Sequence, residues 1–192
     1  MRDTMIKEIC FKDTKGSSLF QINDGSSIVL QALDNKPVVI TCNYIDERSF
    51  YLKNARFSFK EFAELVEKNS CIFYPEHGSS RTYEIYQITS DKGRDYLFMR
   101  YSYAEKHIQA KHYEKMYMGM LADKTSLESI FYKHNLDYRP FAQKMRSVSV
   151  SDVIVINDYG TRKAYYVDSF GFAEVPKFLT QLQRMKNEEP SR

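Results

Sequence analysis

The chain has 192 residues, 43% of them apolar, with seven Gly, five Pro and 28 Lys+Arg against 25 Asp+Glu. This composition excludes a disordered, collagen-like or low-complexity chain and fits one compact domain or two small ones closely joined, either able to bury a core. A net charge of +3 does not by itself predict a nucleic-acid partner, while 15 Tyr and 13 Phe with no Trp suit half-buried sheet surfaces and stacking platforms.

The charge is unevenly spread. Residues 1–80 carry 10 basic and 11 acidic side chains and residues 81–192 carry 18 and 14, so the two parts stand at −1 and +4. Cys10, Cys42 and Cys71 are far apart and form no CxxC, which indicates neither a disulfide framework nor a zinc knuckle. The first residues lack an apolar signal-type stretch, and no apolar run approaches the roughly 18 residues of a membrane helix. A soluble, cytoplasmic protein without membrane association is expected.

In chain order, Leu19–Ile22 and Ile28–Leu33 flank Asn23-Asp24-Gly25-Ser26, which predicts a hairpin. Strands are expected at Val38–Cys42, Ser49–Leu52 and Ala55–Phe57. Ser58 and Glu61 have capping-box spacing and open a helix whose buried face would be Phe59, Phe62, Ala63, Leu65 and Val66, closed by Asn69. Cys71–Tyr74 reads as a strand. The short polar stretch Glu76–Arg81 is the best boundary, dividing a β-rich module at 1–76 from a second domain at 82–179 and a tail at 180–192. In the second part, Thr82–Ile88 reads as a strand, Asp91-Lys92-Gly93 as a turn and Tyr96–Met99 as a strand pairing back. Tyr101–Lys111 is helix-compatible and Tyr113–Leu121 strand-like. Thr125 and Glu128 form a second capping box for a helix with a Leu127, Ile130, Phe131 stripe, ended by Asn135. Val153–Ile156 and Ala164–Val167 form a hairpin about Asn157–Gly160. Phe178–Met185 reads as a short helix, and Asn187–Arg192 should fray. The fold class expected is α+β: two small modules, each a mostly antiparallel sheet with one or two packed helices.

The common enzyme motifs are missing: no Walker A, GxGxxG, HExxH, GxSxG or EF-hand loop occurs. The four histidines stand away from metal-ligand spacing, and neither a metal nor a cofactor is expected. The densest polar cluster is Ser147-Val148-Ser149-Val150-Ser151-Asp152-Val153, followed by Asp168-Ser169-Phe170-Gly171-Phe172. Ser149, Ser151, Asp152, Asp168 and Ser169 would line a polar groove or, on the structural reading, cap strands and order turns. Basic side chains Arg100, Lys106, Lys111, Lys115, Arg139, Lys144, Arg146, Arg162 and Lys163 are interleaved with Tyr101, Tyr103, Tyr113, Tyr117, Tyr138 and Tyr159. Cations neutralise phosphate and aromatic rings stack bases, so this set is the candidate RNA or partner contact.

The segments Thr82–Ile88, Arg94-Asp95-Tyr96, Leu127–Phe131, Ser149–Val153 and Tyr166-Val167-Asp168-Ser169-Phe170-Gly171-Phe172 resemble the YodL-like domain. Compact chains of this look are similar to anti-CRISPR proteins of mobile genetic elements. The resemblance implies a counter-defence protein that binds and inhibits a type II CRISPR effector nuclease, its guide RNA included among the partners. Two alternatives stay open. One is an RNA-processing enzyme that truncates guide RNA, using Asp152 or Asp168 with His134 or Tyr166 as acid and base. The other is a non-enzymatic conjugation accessory. The sequence leaves the oligomeric state undetermined.

Overall fold

The computed structural model describes residues 7–78 and 80–188. The chain is α+β and divides into two compact units, one running to Thr82 and taking in Gly119–Thr125, the other formed by Tyr83–Met118 and the chain from Ser126 onward. The fraying expected over Asn187–Arg192 does not begin there: Asn187 and Glu188 instead complete the C-terminal helix, and residues 189–192 lie outside the described residues.

In the first unit, β1 (Glu8–Lys12) and β2 (Ser18–Asn23) form an antiparallel ribbon. A five-stranded antiparallel sheet follows, built from β3 (Ser27–Ala32), β4 (Val38–Asp46), β5 (Ser49–Leu52), β6 (Ala55–Ser58) and β7 (Cys71–Pro75) in the order β6-β5-β4-β3-β7. Alternation puts Ile9 and Phe11 of β1 inside, both 1% exposed, although the sequence reading placed no strand there. Phe11 is the centre of the core: the rings of Phe20, Phe50, Phe59, Phe62 and Phe73 all lie 5.0–5.9 Å from it. Much of the Phe excess is therefore core, where each buried ring contributes about 1.5–3 kcal/mol of transfer free energy.

The expected hairpin at Asn23–Ser26 is corrected. The turn exists, with Ser26 N–H donating to Asn23 O and Gly25 at φ +82°, but β2 pairs with β1 whereas β3 pairs with β4 and β7. The turn's polar groups are taken by β4: Gly25 N–H donates to Cys42 O, Cys42 N–H to Ser26 O, and Tyr44 N–H to Asp24 Oδ1. Helix α1 (Phe59–Lys68) starts with the expected capping box, Glu61 N–H to Ser58 Oγ at 3.2 Å and Ser58 N–H to Glu61 Oε2 at 3.0 Å, and ends at Asn69. Its buried stripe is Phe62, Ala63 and Val66; Leu65 faces away and is 46% exposed.

The sheet of the second unit has the order β12-β11-β10-β8-β9, from β8 (Arg81–Ile88), β9 (Tyr113–Met120), β10 (Val153–Asp158), β11 (Thr161–Val167) and β12 (Phe172–Glu174). β10 and β11 form the expected hairpin, closed by Tyr159 and Gly160, both at positive φ as a two-residue primed turn requires. Helix α4 (Pro176–Glu188) has Pro at its first position and seats Phe178 between Tyr86 and Tyr113 at ring distances of 5.4 and 5.2 Å.

Three local expectations are corrected here. Tyr96–Met99 forms no strand. A 3-10 turn at Asp91–Tyr96 instead buries Tyr96, whose hydroxyl meets His112 Nδ1 at 2.9 Å, and Gly93 packs so closely that a Cβ would stand 2.5 Å from Ile88 Cγ2. The helix expected over Tyr101–Lys111 is one turn, α2 (Tyr101–Ala104), then a 3-10 turn at Ala110–His112 whose Ala110 N–H is taken by Gln181 Oε1. The second capping box is one residue later than expected. Ser126 and Ser129 exchange backbone-to-side-chain bonds to start α3 (Leu127–Lys133), while the Thr125 hydroxyl donates to Ala122 O. Along α3 Ile130 is buried and Leu127 and Phe131 are half-buried; His134 is the C-cap, with Asn135 Nδ2 donating to Phe131 O.

Candidate functional site

The polar cluster of the sequence reading turns inward. Asp152 is fully buried at the foot of β10. Its Oδ1 accepts from Arg146 Nη2, and its Oδ2 from Arg146 Nη1 at 3.0 Å, Gln87 Nε2 at 2.9 Å and Ser149 N–H at 2.9 Å. Desolvation pushes this carboxyl up to about 6, against the lowering exerted by Arg146, Ser149 and Gln87. Ser151, also fully buried and held at φ +82°, accepts from Phe98 N–H through Oγ at 3.1 Å and from Tyr113 OH through its carbonyl at 3.0 Å.

The second cluster reaches the same loop. Asp168 Oδ1 accepts from Tyr101 N–H at 3.0 Å and from Ser169 N–H at 2.7 Å, and Tyr166 OH donates to Met99 O at 2.8 Å. Ser151, Tyr166 and Asp168 thus grip three backbone groups of the segment Phe98–Tyr101: Phe98 N–H, Met99 O and Tyr101 N–H. Phe98 at φ +62° is 56% exposed and Met99 45%, and Tyr103 just beyond is 55% exposed, whereas Tyr101 turns in against the Tyr166 ring at 5.6 Å. Arg100 is exposed, and the Arg146 guanidinium sits 5.5 Å from the Phe98 ring. Phe170, 89% exposed, stands on the turn closed by Asp168 N–H to Gly171 O. The exposed Phe98 and Met99, with Arg100 and Arg146 beside them, are therefore held by Ser151, Tyr166 and Asp168.

These two motifs and the sheet that carries them lie within the match to the YodL-like domain family, residues 82–178, half of the chain. The chain belongs to the YodL-like domain family. No curated protein and no solved structure matches it.

Within the YodL-like domain the four acid–base candidates each serve a separate partner. Asp152 binds Arg146, Asp168 holds Tyr101, Tyr166 holds Met99, and His134 Nε2 lies 3.0 Å from Tyr83 OH. His134 is fully buried, with the Tyr117 ring 4.6 Å away and Nδ1 without a hydrogen-bond partner among the described residues. Burial, with Lys133 and Arg139 adding to it, drives its imidazole down to about 3, so it is neutral. Burial and the nearby Asp168 push the Tyr166 phenol up.

The nine basic candidates also separate. Lys115 and Arg162 both reach Glu84, at 3.6 and 2.8 Å, and Glu84 accepts from Tyr86 OH as well; Arg146 belongs to Asp152. Arg100, Lys106, Lys111 and Lys163 are exposed. Lys144 lies 5.3 Å over the Phe141 ring, and Arg139 is half-buried. Sequence reasoning missed Phe98, Met99 and Glu84; Phe170 was visible only as a letter of its motif. Among the described residues no three His, Cys, Asp or Glu side chains converge as metal ligands, and no helix is long and apolar enough to cross a membrane. Cys42 and Cys71 are buried, and desolvation pushes the Cys42 thiol up to about 12.

Proposed function

We propose that this chain is a counter-defence binding protein that inhibits a type II CRISPR effector nuclease, docking on it through the loop Phe98–Tyr103 and Phe170. The observation that carries the binding half is the gripped loop. Buried Ser151 and Tyr166 and half-buried Asp168 hold Phe98, Met99 and Tyr101 in place, with Phe98 at positive φ, and the surface so presented is apolar and aromatic with arginines at its rim. Strained backbone fixed by its surroundings is characteristic of ligand-contacting loops, and aromatic residues with arginine are the residue types that anchor protein interfaces. The choice of partner rests on the likeness of some compact chains of this look to anti-CRISPR proteins, the paired serine–aspartate motifs themselves being those of the YodL-like domain.

Asp152 and Asp168 are engaged by backbone and arginine donors, which favours a binding role for the domain over acid–base cleavage of RNA. The test is DNA cleavage by a panel of purified type II effectors loaded with guide RNA, with and without the protein, and with the guide RNA analysed afterwards. Inhibition with an intact guide supports this reading. A guide shortened by the protein alone points to the enzyme, and uninhibited cleavage throughout points to the conjugation accessory.

A further inference from the structure

A second surface of the YodL-like domain, the segment Tyr132–Lys144 that runs from the end of α3, is unlike the docking loop in its chemistry. Its backbone is fixed: Asn135 Nδ2 donates to Phe131 O at 2.8 Å and to Val148 O at 3.0 Å, Arg139 N–H to Leu136 O, and Lys144 N–H to Phe141 O. Yet Tyr138 is 83% exposed and Tyr132 64% exposed, both large rings left in water on an ordered scaffold. The cations of the segment are Lys133, Arg139 and Lys144, against the single acid Asp137. His134 adds no charge, being buried and neutral. Arg139 has no carboxylate partner among the described residues, and its Nε is buried without an acceptor. The half-buried guanidinium thus carries a charge with no counter-ion among the described residues, and an anion at its open side supplies one.

We propose that Tyr132–Lys144 is a binding site for single-stranded nucleic acid, with Tyr132 and Tyr138 stacking bases and Arg139 and Lys144 receiving phosphates. Stacking tolerates any base because every base has a π-face, so the site reads strandedness and not sequence. Tyr132 and Tyr138 are six residues apart, a separation of at most about 20 Å, within the span of a few extended nucleotides. A duplex has its bases stacked on each other and offers these tyrosines nothing. This inference goes beyond the inhibitor reading and does not depend on it.

The test uses the full chain and a fluorescein-labelled 12-nucleotide oligo-uridylate, read by anisotropy at low salt, beside oligo-thymidylate and a 12-base-pair duplex. The single strands bind, with affinity falling as salt rises at a log–log slope of about −1.4 for two phosphates. Tyr132→Ala with Tyr138→Ala, both at exposed positions, weakens binding tenfold or more with an unchanged circular dichroism spectrum. Lys144→Glu weakens it and flattens the salt slope. No binding of either single strand overturns the proposal, as do equal affinity for the duplex or indifference to the tyrosine substitutions. Because no effector is present, failure of the inhibitor reading leaves this result standing.

Discussion

The Arg146 guanidinium stands between two opposite environments: its terminal nitrogens both bond the fully buried Asp152 carboxylate, and its outer face lies 5.5 Å from the exposed ring of Phe98. One side chain therefore links the buried polar cluster to the surface loop.

Removing one partner of such a pair leaves a buried charge unanswered. Asp152→Ala is expected to lower stability by about 3–5 kcal/mol, because Arg146, Gln87 and the Ser149 N–H lose their acceptor together. Asp168→Ala, which frees only the N–H groups of Tyr101 and Ser169, should cost about 1–2 kcal/mol. Urea unfolding followed by circular dichroism measures both, and equal costs would mean that the Asp152 cluster is no more than an ordinary turn.

Acid should weaken the fold through His134. Its imidazole is held down to about 3 in the folded chain against 6.5 in the unfolded one, so the unfolded state binds the extra proton and stability present above pH 6.5 is lost as pH falls toward 3. Between pH 7 and pH 5 this amounts to about 2 kcal/mol. His112 is lowered also and acts in the same direction. Asp152 acts oppositely, since a carboxyl raised to about 6 favours the folded state as it protonates. The clean quantity is the difference in pH slope between the wild type and His134→Gln: the variant loses the His134 part, and parallel slopes would show that His134 titrates normally.

The start of α3 makes a sharper local prediction. Ser126→Ala removes the cap that receives Ser129 N–H and should cost about 1 kcal/mol, whereas Glu128→Ala, at an exposed position outside the box, should cost little. Thermal melts of the two variants decide it; the reverse ranking would restore the Thr125–Glu128 box.

Regular elements were legible wherever one local signal sufficed. Ser58 and Glu61 marked α1, and the run from Val153 to Val167 marked a hairpin, because side-chain caps and alternation act over a few residues. The Asp24-Gly25 turn was legible but its pairing was not, since β4, some twenty residues on, captures its polar groups. The serine–aspartate motifs were legible as motifs, and their direction was hidden. Ser151 and Asp168 are joined to Phe98 and Tyr101 across more than fifty residues of chain, and the positive φ of Phe98 and Ser151 has no signature in those side chains. Exposed basic residues and structural ones look alike in sequence, so Lys115, Arg146 and Arg162 could be told from Lys106 and Lys111 only by Glu84 and Asp152 beside them.

The central claim is that the gripped loop is the docking surface, and binding of the purified protein to a guide-loaded type II effector that it inhibits tests it most directly. Isothermal titration should find Phe98→Ser with Phe170→Ser, both exposed and each without a buried role, weaker than wild type by about thirty-fold or more, the loss of at least one interface anchor. Unchanged affinity in a double variant with wild-type unfolding behaviour would contradict the account.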